Sequence, residues 1–158
     1  MKNVIILFGE MGGGKNFWGE RMAQDLGYTF FDGDTVVTQE ILERVQNFKA
    51  LNREMVERYI DHLCEEIANR IEAAPGLVVA QALYFDEDRK ALGLFLRSLG
   101  YNVRFKWVRP TFWRNLKQIY SRDNGFRWVL YWLMNKPWFQ KPTHEYDVID
   151  TMGYDHGK

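Results

Sequence analysis

Val4 to Phe8 is an unbroken apolar run that ends at Gly9 and leads into Gly12, Gly13, Gly14 and Lys15. A short run that is apolar at every position matches what a parallel strand buried on both faces requires. From Lys15 to Leu26, the residues Phe17, Trp18, Met22 and Leu26 recur at helical spacing, and Gly27 supplies a stop signal. Strand, glycine loop and helix in that order commit the chain to an alternating α/β architecture.

The alternation continues. Tyr28 to Phe31 reads as a short aromatic strand ending in Asp32-Gly33-Asp34, and Thr35 to Asn47 reads as a helix with Val37, Ile41, Leu42 and Val45 on one face. Asn52 is placed to cap a longer helix running to Ala74, with Met55, Tyr59, Leu63, Ile67 and Ile71 inside, until Pro75-Gly76 breaks it. Leu77 to Ala80 and Val103 to Val108 read as strands on either side of a helix from Asp86 to Leu99. Pro110 suits the first turn of a helix reaching Gln118, Ser121 to Gly125 a polar turn, Phe126 to Met134 a short helix, and Tyr146 to Ile149 a last strand. The pattern predicts a three-layer α/β fold with about five parallel strands, right-handed crossovers and helices on both faces. The 158 residues suit one domain with one site.

Composition narrows the setting. An apolar fraction of 46% and a charged fraction of 27% are those of a globular protein. No apolar run approaches the roughly 18 residues that a spanning helix needs, and the run after Met1-Lys2-Asn3 is too short for a signal peptide. Cys64 is the single cysteine, which fits a reducing, cytoplasmic setting and a role as a small apolar residue on a helix. The net charge of zero conceals an asymmetry: from Arg104 to Lys141 there are nine Lys or Arg against one acid, Asp123. A basic segment on an acidic body suits closure over polyphosphate, and equally nucleic acid or an anionic membrane surface.

The loop Gly9-Glu10-Met11-Gly12-Gly13-Gly14-Lys15-Asn16 carries the clearest chemistry. Its glycines let backbone N–H groups encircle phosphate oxygens, the helix start adds positive potential, and Lys15 supplies a point charge for the β- and γ-phosphates. The position after the lysine ordinarily offers a Ser or Thr hydroxyl to Mg²⁺, and here it is Asn16. Three readings stand: Asn16 ligates the metal, it holds a metal-bound water, or the chain binds nucleotide with little or no phosphoryl transfer. Asp32 and Asp34, at a strand end where ligands of open α/β sheets bind, can divide metal support and hydroxyl activation between them. The alternative is that Asp34 or Thr35 only caps the next helix.

The glycine-lysine loop, Asp32-Gly33-Asp34 and the stretch Leu77-Val78-Val79-Ala80-Gln81-Ala82-Leu83 resemble the gluconate kinase and shikimate kinase group of P-loop kinases, and the Asp-Gly-Asp is also similar to that of adenylyl-sulfate kinases. The resemblance implies ATP and Mg²⁺ as cofactors, metal support from Asp32 with Asn16, and Asp34 as base or orienter of the acceptor hydroxyl. It also implies a sugar-acid type of acceptor. Gluconate kinases place Ser-Ala-Leu-Lys where this chain has Gln81-Ala82-Leu83-Tyr84, and their substrate arginine has Arg53 and Arg58 near its place. Arg53, Arg58 and Gln81 are therefore the acceptor-binding candidates beside Asp34.

In such kinases a lid after the fourth strand supplies arginines to the transferring phosphoryl group. Within a lid region around 110–142, Arg122 and Arg127 lead and Arg114 is third, the last assigned to nucleotide contact. Trp107, Trp113, Trp128, Trp132 and Trp138 fall in or next to the same stretch and could stack on bases, although Trp128 and Trp132, four apart, suit core packing. His62, His144 and His156 lack partners at ligand spacing. Thr151 to Met152 is expected at the adenine edge. The expectation is an ATP-dependent phosphotransferase acting on a hydroxyl of a small polar acceptor without membrane contact. A catalytically weak nucleotide-binding module, and a nucleoside, nucleotide or polynucleotide kinase, remain as alternatives.

Overall fold

A computed structural model of the chain describes residues 1–143 and 146–150. Among these residues, five strands form one parallel sheet in the order β2-β3-β1-β4-β5, where β1 is Asn3–Phe8, β2 Thr29–Asp32, β3 Gly76–Gln81, β4 Asn102–Arg109 and β5 Asp147–Asp150. The helices are α1 (Lys15–Leu26), α2 (Gln39–Gln46), α3 (Arg53–Ala73), α4 (Asp86–Ser98), α5 (Phe112–Tyr120) and α6 (Gly125–Asn135). No described helix is long and apolar enough to cross a membrane.

The apolar run of β1 is divided between the two faces. Val4, Ile6 and Phe8 pack with Leu63, Ile67 and Ile71 of α3 and Leu92 and Leu96 of α4, whereas Ile5 and Leu7 pack with Ala23 of α1. This is why every position in the run had to be apolar: successive side chains point to opposite faces, and both faces are covered. Cys64 belongs to the α3 side of this core, where burial, aided by Asp61 and Glu65, pushes its thiol up to about 12 and leaves it inert.

Adjacent strands β1 and β3 send their following helices, α1 and α4, to opposite faces. Such a switch opens a crevice beyond the C-terminal strand ends, and the loops after β1 and β3 meet there.

Two helix starts are capped differently from the sequence reading. The helix expected from Thr35 begins at Gln39, capped by Thr38, whose Oγ1 accepts from the Ile41 N–H at 3.3 Å. Gly33–Val36 instead form a single 3₁₀ turn, because the Asp32 carboxylate accepts the Asp34 N–H and the Thr35 hydroxyl donates to the Asp32 carbonyl. Neither Asp34 nor Thr35 is the cap. Likewise Pro110 precedes α5, and Thr111 caps it through the Arg114 N–H. Asn52 does cap α3, accepting from the Met55 N–H at 2.9 Å.

Arg89 of α4 is fully buried with its guanidinium 4.8 Å from the Phe8 ring centroid. It donates to the carbonyls of Leu83 (2.6 Å) and Gln140 (2.7 Å) and to Asp86, tying the loop after β3 to the segment after α6. Burial alone would push the Asp86 carboxyl up, but hydrogen bonds from Thr143, Lys90 and Arg89 hold it well below the usual carboxylate range. Their contribution to stability is therefore present at neutral pH and is lost as the pH falls through and below the normal carboxylate range. Replacing Arg89 with methionine removes one side of this buried pair. Arg89→Met should lower unfolding free energy by about 3–5 kcal/mol, read from urea denaturation at neutral pH.

Candidate functional site

The glycine loop leaves the centre of the sheet, because β1 is hydrogen-bonded to β3 on one side and β4 on the other. Gly12 (φ 78°) and Gly14 (φ 81°) adopt left-handed conformations, which turn the chain back so that α1 starts at Lys15. A side chain at Gly12 would also collide with α5: an added Cβ would lie 2.5 Å from Asn115 Oδ1 and 2.6 Å from an Ile119 methylene. Lys15 Nζ donates to the Glu10 carbonyl at 2.8 Å, holding the ammonium across the loop. The start of α1 has no side-chain cap, so its first N–H groups remain available to an anion.

Glu10 faces away from Lys15. Its carboxylate accepts from Trp132 Nε1 at 2.8 Å and Lys136 Nζ at 3.1 Å, which binds the loop to α6 and the turn after it. Trp132 is fully buried, while Trp113 (75%) and Trp138 (63%) are largely exposed, so core packing accounts for Trp132 alone of the three. Tyr84, at the β3–α4 connection, reaches the loop from the other side, its hydroxyl accepting from the Met11 N–H at 3.5 Å.

Lys15, Asp32, Asp34 and Arg122 form one electrostatic cluster. Burial pushes the Lys15 amine down to about 8, Asp34 works against that shift, and Arg122 adds to it. Asp34 is reached by solvent, but the walls around it displace much of the bulk water, and this raises its carboxyl; Lys15 opposes the rise and Asp32 adds to it. A carboxyl raised toward neutrality, next to the lysine of a glycine loop, is placed to take a proton from a hydroxyl. Asn16 Nδ2 donates to Asp32 Oδ2 at 2.5 Å, while Asp32 Oδ1 accepts the Asp34 N–H at 3.0 Å. An amide oxygen and two carboxylates are the all-oxygen donors that a hard cation accepts, and they fit Mg²⁺.

The cluster stands at one end of a cavity of about 1000 Å³. Met11, Gly12, Gly14, Lys15 and Asn16 line that end, joined by Asp34 and by Gln118 and Arg122. Residues of α2, α3 and the loop after β3 line the remainder, with Trp128, Tyr131 and Trp138 opposite.

The other expected contacts are distributed differently. Arg53 lines the cavity, but its guanidinium is held by Asp88 (2.7 Å), Glu57 (3.0 Å) and Glu87 (3.2 Å). Arg58 is not on the cavity wall; it lies on the far side of α2, 3.6 Å from both Glu40 and Glu54. Gln81 reaches the wall with both amide atoms engaged, Nε2 donating to Tyr59 and Oε1 accepting the Ala82 N–H at 2.7 Å. Tyr59 in turn donates to the Gly33 carbonyl at 2.8 Å, so Gln81 and Tyr59 support the Asp-Gly-Asp turn from below. Arg127 stacks 4.5 Å from the Phe48 ring centroid and Arg114 sits in the first turn of α5; neither lines the cavity. His62 lies half-buried on α3; His144 and Thr151 to Met152 fall outside the described residues, as does His156.

The sequence reading missed Tyr59, Tyr84 and Asn115. Tyr59 had been assigned to a helix interior, which is correct, but its hydroxyl needed a partner there, and that requirement was a usable signal. Nothing local marks Asn115, whose buried Oδ1 has no hydrogen-bond partner among the described residues.

No protein-family model matches the sequence, and no curated protein does. Solved structures do. The chain is similar to a gluconokinase from Sinorhizobium meliloti at a TM-score of 0.81 and 18% identity, over 96% of this chain and 84% of that one. The APS kinase CysC of Mycobacterium tuberculosis, solved with AMPPNP and APS, gives 0.68 and 12%, over 97% and 90%. A shikimate kinase from Acinetobacter baumannii, solved with shikimate, gives 0.55 and 15%, over 96% and 84%. The chain has the P-loop kinase fold. At these identities the likeness carries the fold, and the chemistry must be argued from the side chains.

Burial keeps Lys15 partly neutral near pH 8, and a bound polyphosphate favours its charged form, so binding takes up a proton above that pH. ATP affinity is expected to be steady just below about pH 8 and to fall by up to about tenfold per pH unit above it. Isothermal titration in buffers of different ionisation enthalpy measures the uptake directly; a flat profile would show that Lys15 does not hold the phosphates.

Proposed function

We propose that the chain is an ATP-dependent phosphotransferase that moves the γ-phosphoryl group to an acceptor hydroxyl. The observation that carries this reading is the meeting of Lys15, Asp34 and Arg122 at the glycine-loop end of the cavity. Loop N–H groups from Gly9 to Asn16, with Lys15, bind the phosphates. Asn16 Oδ1 and Asp32 would hold Mg²⁺, which when bound supplies positive charge to the phosphate oxygens. Asp34 accepts the proton of the acceptor hydroxyl as its oxygen bonds to the γ-phosphorus; the bond to the β-phosphate oxygen breaks and ADP leaves. Arg122 offsets charge on the phosphoryl oxygens in flight. The segment 110–142 acts as the lid, with α6 tied to the loop through Glu10. Arg127 contributes to that lid by bracing Phe48.

Of the other expectations, a sugar acid finds little support, because Arg53 is already held by three carboxylates and Arg58 is off the wall. A second reading, nucleotide binding with little transfer, rests on Asn16, whose amide is spent on Asp32 where a hydroxyl would be.

Three substitutions separate the roles. Lys15→Ala should abolish ATP binding. Asp34→Asn should leave ATP affinity nearly unchanged and lower transfer by about 10²–10⁴-fold in a coupled ADP-release assay. Equal losses of ATP affinity in both would show that Asp34 belongs to the nucleotide site. Asn16→Ser should raise Mg²⁺-dependent turnover at constant nucleotide affinity; an unchanged rate would show that Asn16 already does the work of the hydroxyl.

A further inference from the structure

The walls of the cavity beyond Asp34 are apolar. Val37, Leu42, Val45, Leu51 and Val56 line it from the connection between β2 and β3, and Trp128, Tyr131 and Trp138 line it from α6 and the turn after it. Asp34 lines the same cavity as this first group.

Several polar groups on the same wall are already engaged. Arg53 is matched by Asp88, Glu87 and Glu57; Asn52 Oδ1 caps α3; Asn135 Nδ2 donates to the Tyr131 carbonyl at 2.7 Å; and Gln81 is bonded through both amide atoms. An acceptor rich in hydroxyls would meet mainly aliphatic and aromatic side chains there, and each hydroxyl left unpaired against them costs more than its burial gains. An anionic acceptor would compete with the phosphates for Lys15 and Arg122 or leave its charge unmatched.

The roof is built to stay apolar. At the end of α2, Phe48 N–H bonds to the Val45 carbonyl (3.0 Å) and Lys49 N–H to the Arg44 carbonyl (2.8 Å), a helix stop whose first residue beyond the cap is ordinarily glycine. Here that residue is Phe48 at φ 54°, a left-handed conformation that an aromatic side chain adopts only at a cost. What the strain secures is contact: the Phe48 ring lies 4.8 Å from that of Trp128 and 5.9 Å from that of Tyr131, holding both against the cavity.

Resting on the phosphotransferase reading above, we propose that the acceptor is an uncharged alcohol with a bulky apolar body, its hydroxyl presented to Asp34 and its hydrocarbon or aromatic part held between α2, α3 and the Trp128–Tyr131 roof.

The test measures binding and transfer separately. Binding of benzyl alcohol, 3-phenylpropanol, 1-hexanol and 1-octanol is read from tryptophan fluorescence with a non-hydrolysable ATP analogue present, and transfer from ADP release with Mg-ATP. Gluconate, shikimate and adenosine are the competitors. The expected result is tighter binding and higher kcat/KM with size, by about fourfold per buried methylene until the cavity is filled. Binding of the apolar alcohols in that order without ADP release would uphold the cavity assignment and overturn the phosphotransferase reading. Transfer to gluconate, shikimate or adenosine in preference to the alcohols would overturn the assignment and leave that reading standing, and so would failure of every alcohol to bind. Leu42→Arg, at a 41% exposed position on the wall, should weaken alcohol binding at least tenfold. Val45→Thr, which keeps the shape and adds a hydroxyl, should weaken it several-fold and serves if Leu42→Arg does not fold. Undiminished alcohol binding in a folded variant would overturn the assignment.

Discussion

Everything in the site hangs from β1. A strand paired on both edges and buried on both faces has little freedom to shift, so the loop that leaves it starts from a fixed point. Phosphate binding by backbone N–H groups depends on that fixity, since each donor is aimed by the chain and not by a rotatable side chain. The same rigidity passes outward through the residues that grip the loop: Glu10 to Trp132 and Lys136, Met11 to Tyr84, and Gly12 against Asn115 and Ile119. The loop is thus the meeting point of the sheet, the β3–α4 connection and both helices of the basic segment.

Local costs gather around the cavity. Phe48 holds a conformation that favours glycine, Asn115 buries an oxygen with no partner among the described residues, and Lys15 is buried far enough to lose much of its preference for the proton. Each feature costs stability, of the order of 1–3 kcal/mol for a strained residue or an unpaired buried acceptor. The α3–α4 core supplies the stability that tolerates them.

The architecture was legible because it rests on periodicity and glycine placement, which are local. Strand β1, helix α1 and the Asn52 cap followed directly from residue types at fixed spacing. The site was legible where it lies within a few residues of a strand end, as with Lys15, Asp32 and Asp34. It was not legible where function depends on which side of a helix faces a cavity. Val37, Leu42 and Val45 have the spacing of a core face, and nothing in that spacing says that part of the face lines open space. Arg53 and Arg58 differ by little in sequence, yet Arg53 turns to the cavity and Arg58 to Glu40, because the rotation of α3 about its axis is set by long-range packing. Arg89 looked like one more charge on a helix, and its partners at Leu83 and Gln140 come from separate connections.

The likeness to a gluconokinase, an APS kinase and a shikimate kinase and the apolar wall of this cavity are compatible once fold and site are kept apart. The shared fold places the loop after β1 and the ends of β2 and β3 around one opening, and that placement does not depend on what enters it. On the proposed reading the acceptor is selected by the cavity-facing residues of the connection between β2 and β3, which are distinct from Leu63, Ile67 and Ile71 of α3 that pack on β1. In this chain those residues are aliphatic, the nearest arginine is neutralised by three carboxylates, and an aromatic residue strains its own backbone to hold two others over the opening. An enzyme that had to desolvate a charged, heavily hydroxylated acceptor would need the opposite arrangement, with free donors in the wall and flexible polar residues above it. On the proposed reading an apolar acceptor body would drive water from this cavity, and its removal would strengthen the attraction of Lys15 and Arg122 for the phosphoryl group as the hydroxyl reaches Asp34.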